Sequence, residues 1–293
     1  MGPNLDEILE RKFTSVFRKG YRKYGKFTLP ARFEDLRTEI DDFEVFDDDV
    51  WVCSFPKTGT TWTQEMVWLI CNDFDYVKAE ENLGARFPFL EVSAVFDFRD
   101  LISENDEFKP PVFIENSLEF TKNCPRPRMI KTHLPWDLLP RAIREFQVKP
   151  KIIYVSRNPK DTCVSYFHHA RLFEGFSGDF RDFAQLFIAG KVSFGPFFDN
   201  FLSFWNVKDQ KNLLFIKYED MKMDLGEVME TVAKFVGKTL SEIEKSKLLK
   251  HLSFEEMKRN PAVNFEPVLE FHRRFNLVKV DGVFMRSGVR RLD

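Results

Sequence analysis

Residues 54–62, Ser-Phe-Pro-Lys-Thr-Gly-Thr-Thr-Trp, combine groups that can bind a phosphate-like anion. They follow an apolar stretch typical of a buried strand (residues 50–53) and precede an apolar helical pattern. The first N–H groups of a helix lack partners within it, and the helix dipole favours negative charge there. Lys57 adds a positive charge, and three threonine hydroxyls add donors. The segment is not a Walker A loop, because Lys57 precedes the glycine and the first glycine of that motif is missing.

A second group of residues suits the transfer of a charged group to a hydroxyl. The imidazole of His133, neutral near pH 7, can accept the proton of an attacking hydroxyl. Lys131 and Lys57 can neutralise charge that develops on the transferring group. Arg157 offers a guanidinium fork, which suits a phosphate dianion in a way that a lysine does not.

The elements that must position these residues alternate between short apolar strands and helices. The strand patterns fall at residues 128–132, 151–156 and 213–218, and the helical ones at residues 184–188, 197–205 and 227–236. This alternation predicts an α/β fold, a single domain with a central, mostly parallel sheet flanked by helices. Each strand ends on polar residues, and in such sheets the ligand crevice lies at the carboxyl ends of the strands. The first forty-odd residues are predicted to wrap this domain as helix and loop.

Composition narrows the class of ligand. The 293 residues carry a net charge of −2 and are 43% hydrophobic, which argues against nucleic acid and for a small ligand held in a local basic pocket. No apolar run approaches the roughly 20 residues of a membrane span, so no membrane association is predicted. The four cysteines show no paired metal spacing, and reduced thiols point to the cytoplasm. His168 and His169 are adjacent in a helical pattern and diverge by about 100°, so no metal site is predicted.

Five motifs in the chain resemble signatures of the cytosolic sulfotransferases, and the four that would bind the donor stand in the order that this family has them. The donor motifs are Pro-Lys-Thr-Gly-Thr-Thr-Trp at 56–62, Arg-Asn-Pro-Lys-Asp at 157–161, Leu-Ser-Phe-Glu-Glu-Met at 252–257 and Phe-Met-Arg-Ser-Gly at 284–288, and the fifth is Lys-Thr-His-Leu-Pro at 131–135. The resemblance covers about residues 45–288 of one domain, 1–293, and two shorter stretches look like the invertebrate members. It implies a sulfotransferase that uses 3′-phosphoadenosine 5′-phosphosulfate (PAPS), releases the product PAP and needs no metal.

The resemblance also implies a role for individual residues. His133 would be the general base, Lys57 would stabilise the leaving oxygen and Lys131 the sulfuryl oxygens. Trp62 and Phe254 would sandwich the adenine. The whole implied donor site consists of Lys57, Thr58, Gly59, Thr60, Thr61, Trp62, Arg157, Ser165, Tyr218, Leu252, Ser253, Phe254, Met257, Phe284, Met285, Arg286, Ser287 and Gly288. The acceptor, a hydrophobic phenol, steroid-like molecule or other alcohol, would meet Phe89, Lys131, Thr132, His133, Phe167 and His168.

The chain departs from the family pattern in its last residues. Ser287 stands where the family usually has a lysine, which removes one cation from the implied donor site. The sequence ends at Asp293 without the Gly-Asp-Trp-Lys stretch and the tail that carries the family's dimer motif. A monomer or a weak homodimer is therefore expected, with reduced donor affinity.

Three other functions remain open on the sequence. The protein could bind PAPS or an apolar ligand without catalysis, or it could couple sulfation to the dehydration of an allylic alcohol. A nucleoside-triphosphate-dependent kinase is the third. The position of Lys57 and the lack of an evident acidic strand end that could bind Mg²⁺ count against it.

Overall fold

The computed structural model describes residues 4–278, 280 and 282–286, which form six strands and seventeen α-helices. The strands are β1 (Tyr21–Tyr24), β2 (Phe27–Pro30), β3 (Val50–Ser54), β4 (Met129–Thr132), β5 (Lys151–Ser156) and β6 (Leu213–Lys217). The helices are α1 (Leu5–Lys12), α2 (Phe33–Asp41), α3 (Thr60–Cys71), α4 (Leu83–Arg86), α5 (Val92–Val95), α6 (Arg99–Glu104), α7 (Val112–Glu115), α8 (Ser117–Lys122), α9 (Arg141–Arg144), α10 (Pro159–Phe173), α11 (Phe180–Ile188), α12 (Phe197–Trp205), α13 (Tyr218–Met223), α14 (Leu225–Phe235), α15 (Glu242–His251), α16 (Phe254–Arg259) and α17 (Glu266–Arg274). None of the helices described is long and apolar enough to cross a membrane.

Four parallel strands form the central sheet, in the order β4-β3-β5-β6. All five residues of β3 are buried, as expected for a strand with helices on both faces. Trp51 packs into the core on one face of the sheet, whereas Val52 packs into the core on the other. This alternation follows from the two-residue period of a strand. The predicted α/β fold with a parallel sheet is confirmed.

Two expectations about local structure are wrong. The N-terminal region contains the antiparallel hairpin of β1 and β2, which was expected to be helix and loop. The hairpin turns at Gly25, whose φ of +58° suits a residue without a Cβ. Helix α11 begins four residues earlier than its apolar pattern, because Asp179 caps it by accepting a hydrogen bond from the Asp182 N–H.

His272 in α17 is a buried histidine whose two ring nitrogens have no hydrogen-bond partner among the described residues. The rings of Phe17, Phe96 and Phe98 surround it. Burial lowers the pKa of His272 to about 4. Between pH 6.5 and about 4 the unfolded chain therefore binds a proton at this residue that the folded protein does not bind. Stability is lost as the pH falls through this window, by about 3 kcal/mol in total.

Replacing His272 with leucine is expected to flatten this acid dependence. Urea unfolding at pH 8 and at pH 4.5 measures the acid dependence. Between these two pH values the free energy of unfolding should fall more for the wild type than for the leucine variant. At pH 8 the variant should be at least as stable as the wild type, since leucine leaves no buried polar atom unsatisfied. Parallel losses of stability in the two proteins would show that His272 is not the residue responsible.

Candidate active site

The carboxyl ends of the four parallel strands converge on one cavity of about 630 Å³. Each strand contributes a residue at or just after its end: Lys57 after β3, Lys131 in β4, Arg157 after β5 and Tyr218 after β6. Parallel strands bring these positions to the same edge of the sheet although they lie far apart in sequence. The cavity is therefore where the predicted anion and group-transfer residues meet.

The loop between β3 and α3 has a backbone shape that the sequence fits closely. Gly59 has a φ of +109°, and a Cβ there would lie 2.9 Å from Cδ2 of Tyr218. Lys57 also adopts a positive φ, 69°, which costs a residue with a side chain roughly 1–2 kcal/mol. Gly59 caps α3, so the N–H groups of the first turn lie at the cavity beside Thr60 and Thr61. The predicted strand, loop and helix arrangement is confirmed.

One hydroxyl of this loop has a different task from the one expected. The Thr58 hydroxyl is buried and donates to the carbonyls of Phe55 and Val155, at 2.8 and 3.0 Å. Its side chain therefore holds the loop against β5, and it does not line the cavity. The side chain of Thr60 bonds the hydroxyl of Ser54 at 2.7 Å.

The two lysines of the site are half-buried in the cavity wall, and their pKa values are lowered. Burial, followed by repulsion from Lys131, Arg157 and Arg286, lowers the pKa of Lys57 to about 7. Burial lowers the pKa of Lys131 to about 8, although Glu91 raises it. Their ammonium groups lie over aromatic rings, Lys57 at 3.8 Å from the centroid of Phe284 and Lys131 at 4.2 Å from that of Phe89. So many cations around one cavity favour a ligand with several negative charges.

Because of these pKa values, the binding of PAP is expected to take up protons at pH 8. In the free protein Lys57 is then mostly deprotonated and Lys131 partly so, and a bound anion restores their charge. At pH 6 both lysines are already charged, so the uptake should nearly vanish. Titration calorimetry in buffers of different ionisation enthalpy measures the number of protons. Equal uptake at pH 6 and pH 8 would contradict the lowered pKa values.

His133 is held in one tautomer. Its Nδ1 lies 2.8 Å from the carbonyl oxygen of Ser54, which can only accept, so Nδ1 carries the hydrogen and Nε2 keeps a free lone pair. Burial and then the charge of Lys131 lower the pKa of His133 well below its usual range. The rings of Phe89 and Phe194 pack edge-on against the imidazole. His133 is thus neutral and able to accept a proton.

Glu91 fixes the chain around His133, and sequence reasoning missed it. Its carboxylate accepts from the backbone N–H of His133 at 2.7 Å and from the hydroxyl of Thr132 at 2.8 Å. Burial raises the pKa of Glu91 to about 7, although these hydrogen bonds lower it. Thr132 is fully buried and does not line the cavity, contrary to its predicted acceptor role. No sequence pattern marked Glu91, because its partners lie more than forty residues away.

The part of the cavity around Arg157 and Tyr218 contains most of the predicted donor residues. Arg157 lies over the ring of Tyr218, with its Cζ 4.2 Å from the centroid, and donates to the carbonyl of Lys57 at 3.2 Å. Its Nε is buried without a hydrogen-bond partner among the described residues, as expected of a group that awaits a ligand. The other predicted donor residues that line the cavity are Trp62, Ser165, Leu252, Ser253, Phe254, Met257, Phe284, Met285 and Arg286. Ser287 and Gly288 lie outside the described residues.

The acceptor side is mostly apolar, but three predicted acceptor residues, Thr132, Phe167 and His168, are not in its wall. Phe89 lines the cavity together with further apolar residues, including Val92, Val95, Phe96, Phe113, Ile114, Phe173, Phe194 and Val268. Phe167 instead packs in the core against Phe176 and Phe183, and His168 does not line the cavity. The next residue, His169, does. Successive helical residues point about 100° apart, so His169 lines the cavity and the predicted His168 does not.

A cationic cavity at the edge of a parallel sheet, with a neutral histidine in its wall, is the arrangement expected of a group-transfer enzyme with an anionic donor. The Sulfotransferase domain family matches residues 47–290, and the chain belongs to this family. It is a PAPS-dependent sulfotransferase. The luciferin sulfotransferase of Photinus pyralis is 43% identical over 286 residues, which is 97% of this chain and 77% of that protein. Sulfotransferase 1B1 of Mus musculus is 32% identical over 253 residues, 85% of this chain and 79% of that protein.

Solved structures show the same fold. A retinol dehydratase in complex with androsterone and the inactive cofactor PAP superposes with a TM-score of 0.85 at 30% identity, covering 99% of this chain and 88% of that one. The mouse sulfotransferase SULT7A1, solved with PAP, gives a TM-score of 0.62 at 31% identity, covering 82% of this chain and 77% of that one. Both neighbours contain PAP, which supports a PAP or PAPS site in this protein.

Proposed function

We propose that the protein transfers the sulfuryl group of PAPS to the hydroxyl of a small, mostly apolar acceptor by in-line displacement. The observation that supports this most is the state of His133. Its Nδ1–H is bonded to the Ser54 carbonyl, so Nε2 can accept a proton at the point where the apolar wall meets Lys57 and Lys131. A neutral base between a cationic half and an apolar half of one cavity suits attack by a hydroxyl on an anionic donor.

The proposed step needs three side chains. The acceptor oxygen attacks sulfur while its proton moves to Nε2 of His133. The bond between sulfur and the bridging oxygen breaks, and Lys57 stabilises the charge that develops on that oxygen. Lys131 stabilises the equatorial sulfuryl oxygens. Charged groups act strongly in this site, because they are buried and their charges are weakly screened.

The rest of the donor would lie along the strand ends. The N–H groups at the start of α3 would bind the 5′-phosphosulfate. Arg157 and Ser165 would bind the 3′-phosphate, with Arg286 nearby in the cavity wall. Trp62 and Phe254 would hold the adenine between their rings. This arrangement places Arg157 and Arg286, which the transfer step does not use, close to the 3′-phosphate of PAPS.

An acceptor panel tests the proposal. Apolar phenols, steroids and aliphatic alcohols are incubated with PAPS and the protein, and the release of PAP is measured. Each acceptor is paired with its deoxy analogue, which has the same apolar body but no hydroxyl to react. We expect PAP release that depends on the hydroxyl. If PAP binds but no acceptor triggers its release above the deoxy controls, the protein is a binder and not a transferase.

A second candidate is a sulfation-coupled dehydration of an allylic alcohol. It is supported by the fold similarity to the retinol dehydratase, which superposes on this protein with a TM-score of 0.85. In this variant the same transfer occurs first, and sulfate then leaves with its electron pair as the substrate loses a proton. The mass of the product separates the two reactions. Simple transfer adds SO₃ to the acceptor, whereas dehydration removes the elements of water.

We also propose that the protein works in the cytoplasm on small molecules, as a monomer or a weak homodimer. The four cysteines of the chain are all free in the structure, which supports a reducing compartment. Sedimentation across a range of protein concentrations tests the oligomeric state.

A further inference from the structure

The apolar half of the cavity contains one polar patch that the proposed chemistry does not use. It consists of His169 in α10 and Glu174, which directly follows that helix, and both line the cavity. The side chain of Glu174 is only 4% exposed. Its neighbourhood is otherwise dominated by rings, among them Phe173, which packs against the imidazole of His169. A buried carboxylate in such a wall requires an explanation.

The charge of Glu174 is balanced from behind by Arg18. The Nη2 atom of Arg18 lies 3.0 Å from Oε2 of Glu174, and both side chains are almost fully buried. Arg18 itself is fixed, because its Nη1 donates to the hydroxyls of Tyr21 and Ser193 at 2.9 and 2.8 Å. The patch therefore has no net charge to offer a ligand. Its chemistry suits a neutral hydrogen-bonding group instead of an ammonium or a carboxylate.

His169 and Glu174 do not form a hydrogen bond with each other. Nε2 of His169 is 3.9 Å from Oε1 of Glu174, which is too long for a hydrogen bond. Nδ1 of His169 and Oε2 of Glu174 are buried without a well-oriented hydrogen-bond partner in the described part of the chain. Burial and the charges of Lys57 and Lys131 lower the pKa of His169 well below its usual range, so its ring is neutral. A neutral imidazole can donate from one nitrogen.

We propose that His169 and Glu174 form a subsite for a second hydroxyl of the acceptor. One hydroxyl oxygen can lie within reach of Oε1 of Glu174 and Nε2 of His169, which are 3.9 Å apart, donating to Oε1 and accepting from Nε2–H. The preferred acceptor is then a hydrophobic molecule with two hydroxyls, one that reacts at His133 and one that anchors the far end. This inference rests on the proposed function only in taking the apolar half of the cavity as the acceptor site.

The experiment measures binding, so it does not depend on turnover. The protein is saturated with PAP and titrated with 4-alkylphenols whose chains of about two to eight carbons end in a hydroxyl, a methyl ether or a methyl group. For at least one chain length we expect the terminal hydroxyl to bind about 10- to 100-fold tighter than the other two, the range of a hydrogen bond to a charged group. The methyl ether cannot donate to Glu174 and serves as the matched probe.

Two variants test whether His169 and Glu174 cause the preference for the terminal hydroxyl. His169→Phe and Glu174→Gln should each reduce it to less than about threefold, whereas Phe96→Leu in the apolar wall should weaken all three probes alike. If Glu174→Gln fails to fold because Arg18 loses its partner, His169→Phe still decides. Equal affinity for the three probes in the wild type, or a preference kept in His169→Phe, would overturn the subsite. A hydroxyl preference in a protein that transfers no sulfuryl group would support the subsite and refute only the proposed function.

Discussion

Replacing His133 with alanine is expected to lower kcat by about 10²- to 10⁴-fold while leaving the affinity for PAP nearly unchanged. General-base catalysis contributes about 10²- to 10⁴-fold. His133 is a neutral base that lies between Lys131 and the apolar wall, with its Nδ1–H bonded to Ser54. In the proposed arrangement the nucleotide does not need the imidazole, because its charges would meet the lysines and Arg157. Steady-state kinetics and titration calorimetry on the same preparation measure both effects.

Added imidazole provides the control for this variant. If only the base is missing, free imidazole should enter the vacated space and restore part of the rate, without changing the affinity for PAP. No rescue together with weakened PAP binding would mean that the substitution disturbed the site. A variant whose kcat stays within tenfold of the wild type would rule out His133 as the general base.

Replacing Arg157 with alanine is expected to weaken PAP binding by about 1.5–3 kcal/mol, the scale of a hydrogen bond to a charged group. The guanidinium is already oriented, since it lies over the Tyr218 ring and bonds the carbonyl of Lys57. Arg157→Lys keeps the charge but loses the planar fork, so its affinity should fall between those of the alanine variant and the wild type. Calorimetry with PAP measures all three proteins.

Changing the nucleotide as well as the protein isolates the proposed contact between Arg157 and the 3′-phosphate. Adenosine 5′-phosphate lacks the 3′-phosphate of PAP. If Arg157 binds that phosphate, the wild type should prefer PAP strongly, and Arg157→Ala should lose most of this preference. An equal loss of affinity for both nucleotides would mean that Arg157 acts elsewhere, for example by holding the loop at Lys57.

The parts of the site that follow strands were predictable from sequence, because their geometry is local. The residues at 50–62 identify a strand, a loop and a helix start by themselves. Parallel strands then bring Lys131, His133 and Arg157 to the same edge without further information. The family motifs follow this order along the chain, so the α/β fold and the sulfotransferase family could both be obtained before any coordinates.

The parts that were missed depend on contacts between distant segments or on exact helical phase. Glu91 has no motif, and its role appears only when its carboxylate meets the backbone of His133. Thr58 looked like a ligand donor, but its hydroxyl is used by carbonyls of the loop and of β5. His168 and His169 cannot be distinguished by type, and only the packing of α10 decides which one faces the cavity. The hairpin of β1 and β2 likewise had no clear pattern.

The most direct test of the account follows the sulfur atom itself. PAPS with a labelled sulfur is incubated with the protein and a hydroxyl acceptor, and the acceptor is recovered and analysed by mass spectrometry. The account predicts that the label leaves the nucleotide as SO₃ bound through the acceptor oxygen, with one PAP formed for each label transferred. Label that stays on PAPS, or appears only as free sulfate while the acceptor is unchanged, would contradict it.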